Sequence, residues 1–214
     1  MPGNGRRFVL CSLGGSSRAM RDLVREQYYR HRAPVYDETS YRGDEMVNAG
    51  LDRETAEIGK LLNTLPEGRV VDVACGTGVW TQFLRGDVVA LDQSAEMLQL
   101  THARVPQARR VQGLFPPLPF ATGGLDRIVT GNFYGLLRPP ERAVFLAEAR
   151  RTARELIVID LRSDGDLHEE QTELRTVDGA TYPIFRRRFT PESLSMELDG
   201  ELIYRGRYFL AVRA

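Results

Sequence analysis

The sequence contains almost no lysine and few cysteines, and it has no long hydrophobic run. Lys60 is the only lysine among 214 residues, arginine supplies the remaining positive charge, and the formal net charge is zero. Without a basic surplus, the chain lacks the electrostatic field with which proteins bind nucleic acid or anionic membranes. No apolar run approaches the ~20 residues that a membrane-spanning helix needs. We therefore expect neither nucleic acid nor a membrane among its partners.

The N-terminal segment and the cysteines bear on location. Cys11 and Cys75 lie far apart in the sequence, which argues against a disulfide scaffold and favours a reducing cytoplasm. The apolar residues 8–10 fall short of the about 7–15 residues in the hydrophobic region of a signal peptide. Residues 1–19, rich in glycine and serine, are predicted to be a disordered tail, and we hypothesise that the native chain begins at Met20. No metal site is expected.

The pattern over residues 20–214 predicts a single α/β domain. Residues 20–66 are expected to form an N-terminal lid of two helices, one from Met20 to about His31 and one from Asp52. Residues 67–161 are expected to form the ligand-binding core, residues 162–190 a cap, and residues 191–214 a last helix and two strands.

Short apolar runs alternate with amphipathic helical patterns throughout the predicted core. The predicted strands cover residues 69–74, 88–91, 110–112, 126–130 and 156–161, and the predicted helices cover 78–84, 94–103 and 139–153. Such alternation indicates a Rossmann-like, doubly wound, mostly parallel sheet with helices on both faces. With the C-terminal strands as an antiparallel edge, seven strands are expected. Sheets of this kind bind ligands at the carboxyl ends of their strands.

An inserted β-hairpin is predicted within the cap. Two alternating runs flank Asp178-Gly179, a dipeptide typical of a two-residue hairpin turn. The hairpin is expected either to cap the ligand site or to form a dimer contact.

The stretch "VVDVACGTGVW" (residues 70–80) places a glycine turn directly after a strand. A dinucleotide-binding turn needs a third glycine where Thr81 stands, and a phosphate-binding P-loop needs a lysine that is missing here. Asp92 follows the next strand, where a carboxylate can accept the hydroxyls of a ribose. It could instead cap the next helix, but Ser94 is available for that role. These features favour an adenosine-type ligand without phosphates.

Three stretches resemble the class I S-adenosylmethionine-dependent methyltransferases, in particular the small bacterial enzymes that act on small molecules. They are "VVDVACGTGVWT", "VVALDQSAEMLQLTHAR" and "VQGLFPPLPFATGGLDRIV", and "YYRHRAPVYDET" resembles the segment that precedes them in that group. The resemblance implies binding of S-adenosylmethionine and transfer of its methyl group, which leaves S-adenosylhomocysteine. Leu114 replaces the family's aspartate that accepts a hydrogen bond from adenine.

The resemblance also implies roles for individual residues. Asp72 and the turn would hold the amino-acid end of the cofactor, and Asp92 would bind the ribose. The full expected cofactor set is Tyr28, Asp72, Ala74, Gly76, Gly78, Trp80, Asp92, Gln93, Met97, Gly113, Leu114, Phe115 and Asn132. The expected substrate contacts are Tyr29, Tyr36, Phe133, His168 and Arg187.

Methyl transfer depends mainly on alignment of the acceptor in a dry pocket. His31 is the predicted general base, with Tyr134 as a second catalytic candidate, although His31 could equally be a solvated histidine at a helix end.

Two other functions remain open at this point. A protein of the same fold could bind the cofactor for non-methyl chemistry such as cyclisation, or for regulation. A nicotinamide oxidoreductase is disfavoured by Thr81. We expect the protein to be a monomer or a homodimer.

Overall fold

A seven-stranded sheet organises residues 23–36, 45–163 and 170–214, the part of the chain that the computed structural model describes. Its strands are β1 (Gly68–Val73), β2 (Gly86–Asp92), β3 (Arg109–Gln112), β4 (Leu125–Gly131), β5 (Ala153–Leu161), β8 (Glu201–Arg205) and β9 (Phe209–Arg213). The strand order is β3-β2-β1-β4-β5-β9-β8, with β1 to β5 parallel and β9 antiparallel to both neighbours. The predicted fold class is confirmed. The order reverses between β1 and β4, which makes their carboxyl ends the expected ligand site.

Helices cover both faces of this sheet. They are α1 (Leu23–Arg32), α2 (Glu45–Thr64), α3 (Ala95–Arg104), α4 (Pro139–Thr152) and α5 (Pro191–Leu198). Alternate residues of β5 enter different cores, since Val158 packs in one apolar cluster and Ile157 and Ile159 pack in the other. Burial on both faces explains why the strand is a continuous apolar run. No helix in the described residues is long and apolar enough to cross a membrane.

Two predicted helices differ from the structure. Helix α2 begins at Glu45 rather than at Asp52, because Val47 and Leu51 extend its apolar face against the sheet. The helix predicted over residues 78–84 is wrong. Only a single 3-10 turn, Thr81–Phe83, forms there. Trp80 packs edge-on against Phe209, with the two ring centres 5.8 Å apart, and the chain then turns back into β2.

The predicted hairpin is present as β6 (Glu170–Val177) and β7 (Ala180–Arg187). Asp178 and Gly179 both have positive φ, as a two-residue hairpin turn requires. The hairpin packs on α1, where Tyr182 and Ile184 share an apolar cluster with Tyr28. From here on, "the cap" means α1 together with β6 and β7, which is a different set from the cap predicted over residues 162–190. The predictions for residues 1–19 and for a start at Met20 lie outside the described residues.

Candidate functional site

A cleft of about 750 Å³ opens at the carboxyl ends of β1, β2 and β4. We call it the first cleft. The predicted site residues that line it are Tyr29, Tyr36, Ala74, Gly76, Asp92, Gln93, Met97, Gly113, Phe115, Asn132 and Phe133. Residues that the sequence did not suggest also line it, namely Arg25, Val73, Leu91, Gly131 and Leu136. The topology therefore gathers residues from well-separated motifs at one place.

Left-handed backbone shapes the wall of the first cleft. Ala74, Gly76 and Asn132 have φ values of 57°, 55° and 58°, and Gly78 follows at 81°. Such a conformation is unusual for alanine and asparagine, and residues held in it cluster at ligand sites. The hydroxyl of Thr101 donates to the Gly76 carbonyl at 2.7 Å and so holds the turn against α3. Bare backbone is thus fixed at the edge of the cleft.

Asp92 connects the glycine turn to the start of α3. One carboxylate oxygen accepts the Gly76 N–H at 2.9 Å, and the other accepts the Ser94 N–H at 2.9 Å. Ser94 caps α3 by accepting the Met97 N–H. Burial raises the pKa of Asp92, and the hydrogen bonds from the backbone oppose that rise. Because Ser94 provides the cap, the carboxylate of Asp92 serves the turn and the cleft.

Asp72 is fully buried beneath the same turn. The Thr81 hydroxyl donates to its Oδ2 at 2.6 Å, whereas Oδ1 has no hydrogen-bond partner among the described residues. Burial raises the pKa of Asp72 to about 7, against the opposing hydrogen bond from Thr81. Sequence reasoning treated Thr81 only as a missing glycine and did not find this contact.

The raised pKa of Asp72 predicts a pH-dependent stability. The folded state favours the protonated acid, so the contribution of Asp72 to stability should be highest below about pH 4 and should fall as the pH rises from about 4 to about 7. In Asp72→Asn this decline should be absent, a difference of up to about 4 kcal/mol above neutrality. Urea unfolding of both proteins across this range measures it. Parallel profiles would contradict the assignment.

A second cleft, of about 1230 Å³, adjoins the first between α2 and the glycine turn. Its polar residues from α2 are Asn48, Asp52 and Thr55, and Thr77 and Arg104 also line it. The two clefts share a boundary of Tyr36, Ala74, Gly76, Gly131 and Asn132. The sequence predicted this helix as part of the lid over residues 20–66 but marked none of its polar residues as site residues, because they look like an ordinary solvated helix face.

Trp80 lines the second cleft and packs against Gly131, where an added Cβ would collide with its indole nitrogen. We expect Gly131→Ala to displace the indole and to lower stability by about 1–3 kcal/mol, the usual cost of overpacking. Trp80 is the only tryptophan, so its emission spectrum reports the displacement directly. An unchanged spectrum together with unchanged stability would refute the prediction.

The two predicted catalytic residues are not at either cleft. The imidazole Nδ1 of His31 lies 2.6 Å from the Tyr182 hydroxyl, which holds His31 against the hairpin. Tyr134 is buried and its hydroxyl donates to Glu197 at 2.8 Å. Burial and this hydrogen bond to Glu197 raise the pKa of Tyr134. Their placement therefore does not support a role as base or acid.

Several predicted binding residues also have other contacts. The Tyr28 hydroxyl accepts from Arg32 at 2.8 Å within the cap. Arg187 donates to Glu197 at 2.8 Å and lies over the ring of Phe189, so it is not directed at a cleft. Leu114 is absent from the cleft lining although both of its neighbours are there. Gly78 belongs to the turn but lines neither cleft. His168 lies outside the described residues.

Comparison with known proteins identifies a domain within this fold. Residues 70–155 match the family model of a methyltransferase domain. A demethylmenaquinone methyltransferase of Lactiplantibacillus plantarum is 32% identical over 135 residues, which cover 57% of this chain and 54% of that protein. An uncharacterised methyltransferase of Synechocystis is 41% identical over 92 residues, 42% of this chain and 43% of that protein. The chain thus matches about half the length of these curated relatives.

Solved structures share the fold over most of the chain. The DhpI–SAH complex has a TM-score of 0.68 at 21% identity, with 89% of this chain and 94% of that chain covered. The DhpI–SAM–HEP complex has a TM-score of 0.66 at 23% identity, with 89% and 95% covered. The PH0226 protein of Pyrococcus horikoshii has a TM-score of 0.60 at 17% identity, with 87% and 97% covered.

Proposed function

We propose that this chain, a member of the class I S-adenosylmethionine-dependent methyltransferase family, binds S-adenosylmethionine and methylates a small aromatic or otherwise planar metabolite. One observation carries the proposal. Asp92, the left-handed turn at Ala74 and Gly76, and Asn132 all face a single cleft at the point where the strand order reverses. Several relatives are named demethylmenaquinone methyltransferases, which supports a small planar acceptor.

The residues of the site fit the proposed cofactor. The side-chain oxygens Asp72 Oδ1 and Asn132 Oδ1 are buried without a hydrogen-bond partner in the described chain. Asn132 lines the cleft and its Oδ1 can accept from an ammonium group, whereas Asp72 lies behind the turn. The carboxylate of Asp92 can accept from the hydroxyls of a ribose. Leu91, Met97 and Phe115 provide an apolar wall for a flat base.

The protein's own part in the reaction would be orientation and exclusion of water. Bound S-adenosylmethionine would supply an electrophilic methyl group on a sulfonium. Tyr29, Tyr36 and Phe133 line the cleft, and their ring faces would favour a cation there. The same rings would keep water from the acceptor, which is the dry pocket that the proposal includes.

Calorimetry with S-adenosylmethionine, S-adenosylhomocysteine and NAD tests the proposal. We expect the first two compounds to bind and NAD not to bind. Transfer of a labelled methyl group to a panel of planar metabolites then tests the reaction. Binding without transfer to any of them would favour the alternative of non-methyl chemistry or regulation, and no binding of either adenosyl compound would contradict the proposal.

The remaining expectations on partners and location also stay proposals. We propose a small-molecule acceptor, no nucleic acid and no membrane partner, a monomer or homodimer, and a cytoplasmic location. Light scattering measures the oligomeric state, and cell fractionation measures the location.

A further inference from the structure

The lining of the first cleft contains one acidic and one basic side chain. Asp92 lies beside the glycine turn, with Asp72 buried behind it. Arg25 lines the same cleft from α1, one helical turn before Tyr29. A ligand in the cleft can therefore meet both the Asp92 carboxylate and the Arg25 guanidinium.

Contacts within the protein hold Arg25 at the cleft wall. Its side chain is only 14% exposed. One guanidinium nitrogen donates to the Leu136 carbonyl at 2.9 Å, and the other lies 3.3 Å from a Glu141 oxygen. The second oxygen of Glu141 accepts the Arg138 N–H at the start of α4, so Glu141 also serves a structural role. The guanidinium is thus positioned before any ligand arrives.

Two more guanidinium groups lie near the aromatic residues Tyr29 and Tyr36 of the cleft lining. Arg186 donates to the Asn132 carbonyl at 3.3 Å and lies 3.7 Å from the buried Asp160. The guanidinium carbon of Arg32 lies 4.6 Å from the centre of the Tyr36 ring. Burial and the neighbouring Tyr36 raise the pKa of Tyr29, while the charges of Arg186 and Arg32 act in the opposite direction. An ionised oxygen bound beside Tyr29 would be attracted by the same two cations, which offset part of the cost of its burial.

We propose that Arg25, supported by Arg186 and Arg32, selects a planar acceptor that carries an ionised oxygen, either a phenolate or a carboxylate. The inference rests on the proposed function, because it concerns the acceptor in the same cleft. An acceptor whose oxygen is already ionised in solution would need no general base in the cleft.

The charge balance of the step is favourable. A lone pair of the acceptor oxygen forms the new bond to the methyl carbon, and the electron pair of the broken carbon–sulfur bond stays on sulfur. The negative oxygen and the positive sulfonium both become neutral, so no proton is transferred in the step. The low-dielectric cleft favours this loss of charge.

Binding measurements on matched ligand pairs test the proposal without relying on turnover. The protein is first saturated with S-adenosylhomocysteine, and calorimetry then compares 4-nitrophenolate with 4-nitroaniline and 4-nitrobenzoate with 4-nitrobenzamide. We expect at least one anion to bind at least ~10-fold more tightly than its neutral partner, as a charge-assisted hydrogen bond would give. The pair that shows the preference distinguishes a phenolate site from a carboxylate site.

Variants assign the preference to Arg25. Arg25→Gln should reduce it to less than about 3-fold, and Arg25→Lys should retain part of it because the charge remains. Arg30→Gln is the matched control, because Arg30 lies on the same helix but is exposed and pairs with Glu26. It should leave the preference unchanged. Absorbance titration of bound 4-nitrophenol should show a lowered pKa in the wild-type protein and in Arg30→Gln but not in Arg25→Gln.

The possible failures are distinguishable. If S-adenosylhomocysteine does not bind, the proposed function is overturned and this inference with it. If S-adenosylhomocysteine binds but the neutral compounds bind as well as the anions, or none of the four binds, only the inference is overturned. A preference that persists in Arg25→Gln also overturns it.

Discussion

Asp92→Ala is expected to weaken the binding of S-adenosylhomocysteine at least ~10-fold. Loss of a hydrogen bond to a charged group costs about 1.5–3 kcal/mol, which corresponds to one to two decades in affinity. The effect should exceed that of a lost ribose contact alone. The Gly76 N–H and the Ser94 N–H would also lose their acceptor, so the turn that presents bare backbone to the ligand would no longer be held in place. Calorimetry on the purified variant measures the change.

Asp87→Ala is the matched control for this experiment. Asp87 lies near the beginning of β2, whereas Asp92 ends the same strand, and its carboxylate pairs with Arg109 on the surface. We expect its affinity for S-adenosylhomocysteine to equal that of the wild-type protein. If Asp92→Ala also bound with unchanged affinity, the ribose assignment would be refuted, and the carboxylate would serve only to brace the turn.

Thermal unfolding separates the two roles of Asp92. Removal of the carboxylate should lower the stability of the free protein by about 1–3 kcal/mol, because two buried or half-buried donors lose their acceptor. If stability falls but affinity does not, the structural role alone is real. If both change, the carboxylate both shapes the turn and contacts the ligand, as we expect.

The parts of the fold that the sequence predicted are those set by local pattern. The apolar run that became β5 and the Asp178-Gly179 turn each specify their own conformation with little help from distant residues. The glycine turn and Asp92 could be assigned to one site because parallel strands align their carboxyl ends. The resemblance suggested Ala74 and Asn132, and both lie at this site because each follows a core strand.

The missed features depend on contacts between residues far apart in the sequence. Nothing near His31 indicates that its imidazole meets Tyr182, which lies 151 positions later. The failure of the predicted helix after Gly78 has a similar origin, because the packing of Trp80 on Phe209 outweighs a local helical pattern. Arg25 was overlooked because an arginine on an amphipathic helix ordinarily faces solvent.

A further long-range contact predicts the second large effect. Glu54 of α2 is almost completely buried and its carboxylate accepts the backbone N–H groups of Arg207, Tyr208 and Phe209. These donors begin β9 and the turn before it. We expect Glu54→Ala to lower the free energy of unfolding by about 2–4 kcal/mol, since buried donors left without an acceptor cost about 1–3 kcal/mol each and water can replace some of the bonds. For a chain of this length the melting temperature should fall by roughly 5–15 °C.

Glu57→Ala provides the control for Glu54→Ala on the same helix. Glu57 is exposed and accepts a hydrogen bond from the Tyr204 hydroxyl at 2.7 Å, so its loss should change stability by less than about 1 kcal/mol. Phe209 packs on Trp80, and both residues line the second cleft together with α2. Loosening of the Glu54 contact should therefore also shift the emission of Trp80 in the folded state, whereas Glu57→Ala should not. Equal losses of stability in the two variants would mean that water replaces all of the buried bonds and that Glu54 does not fasten α2 to β9.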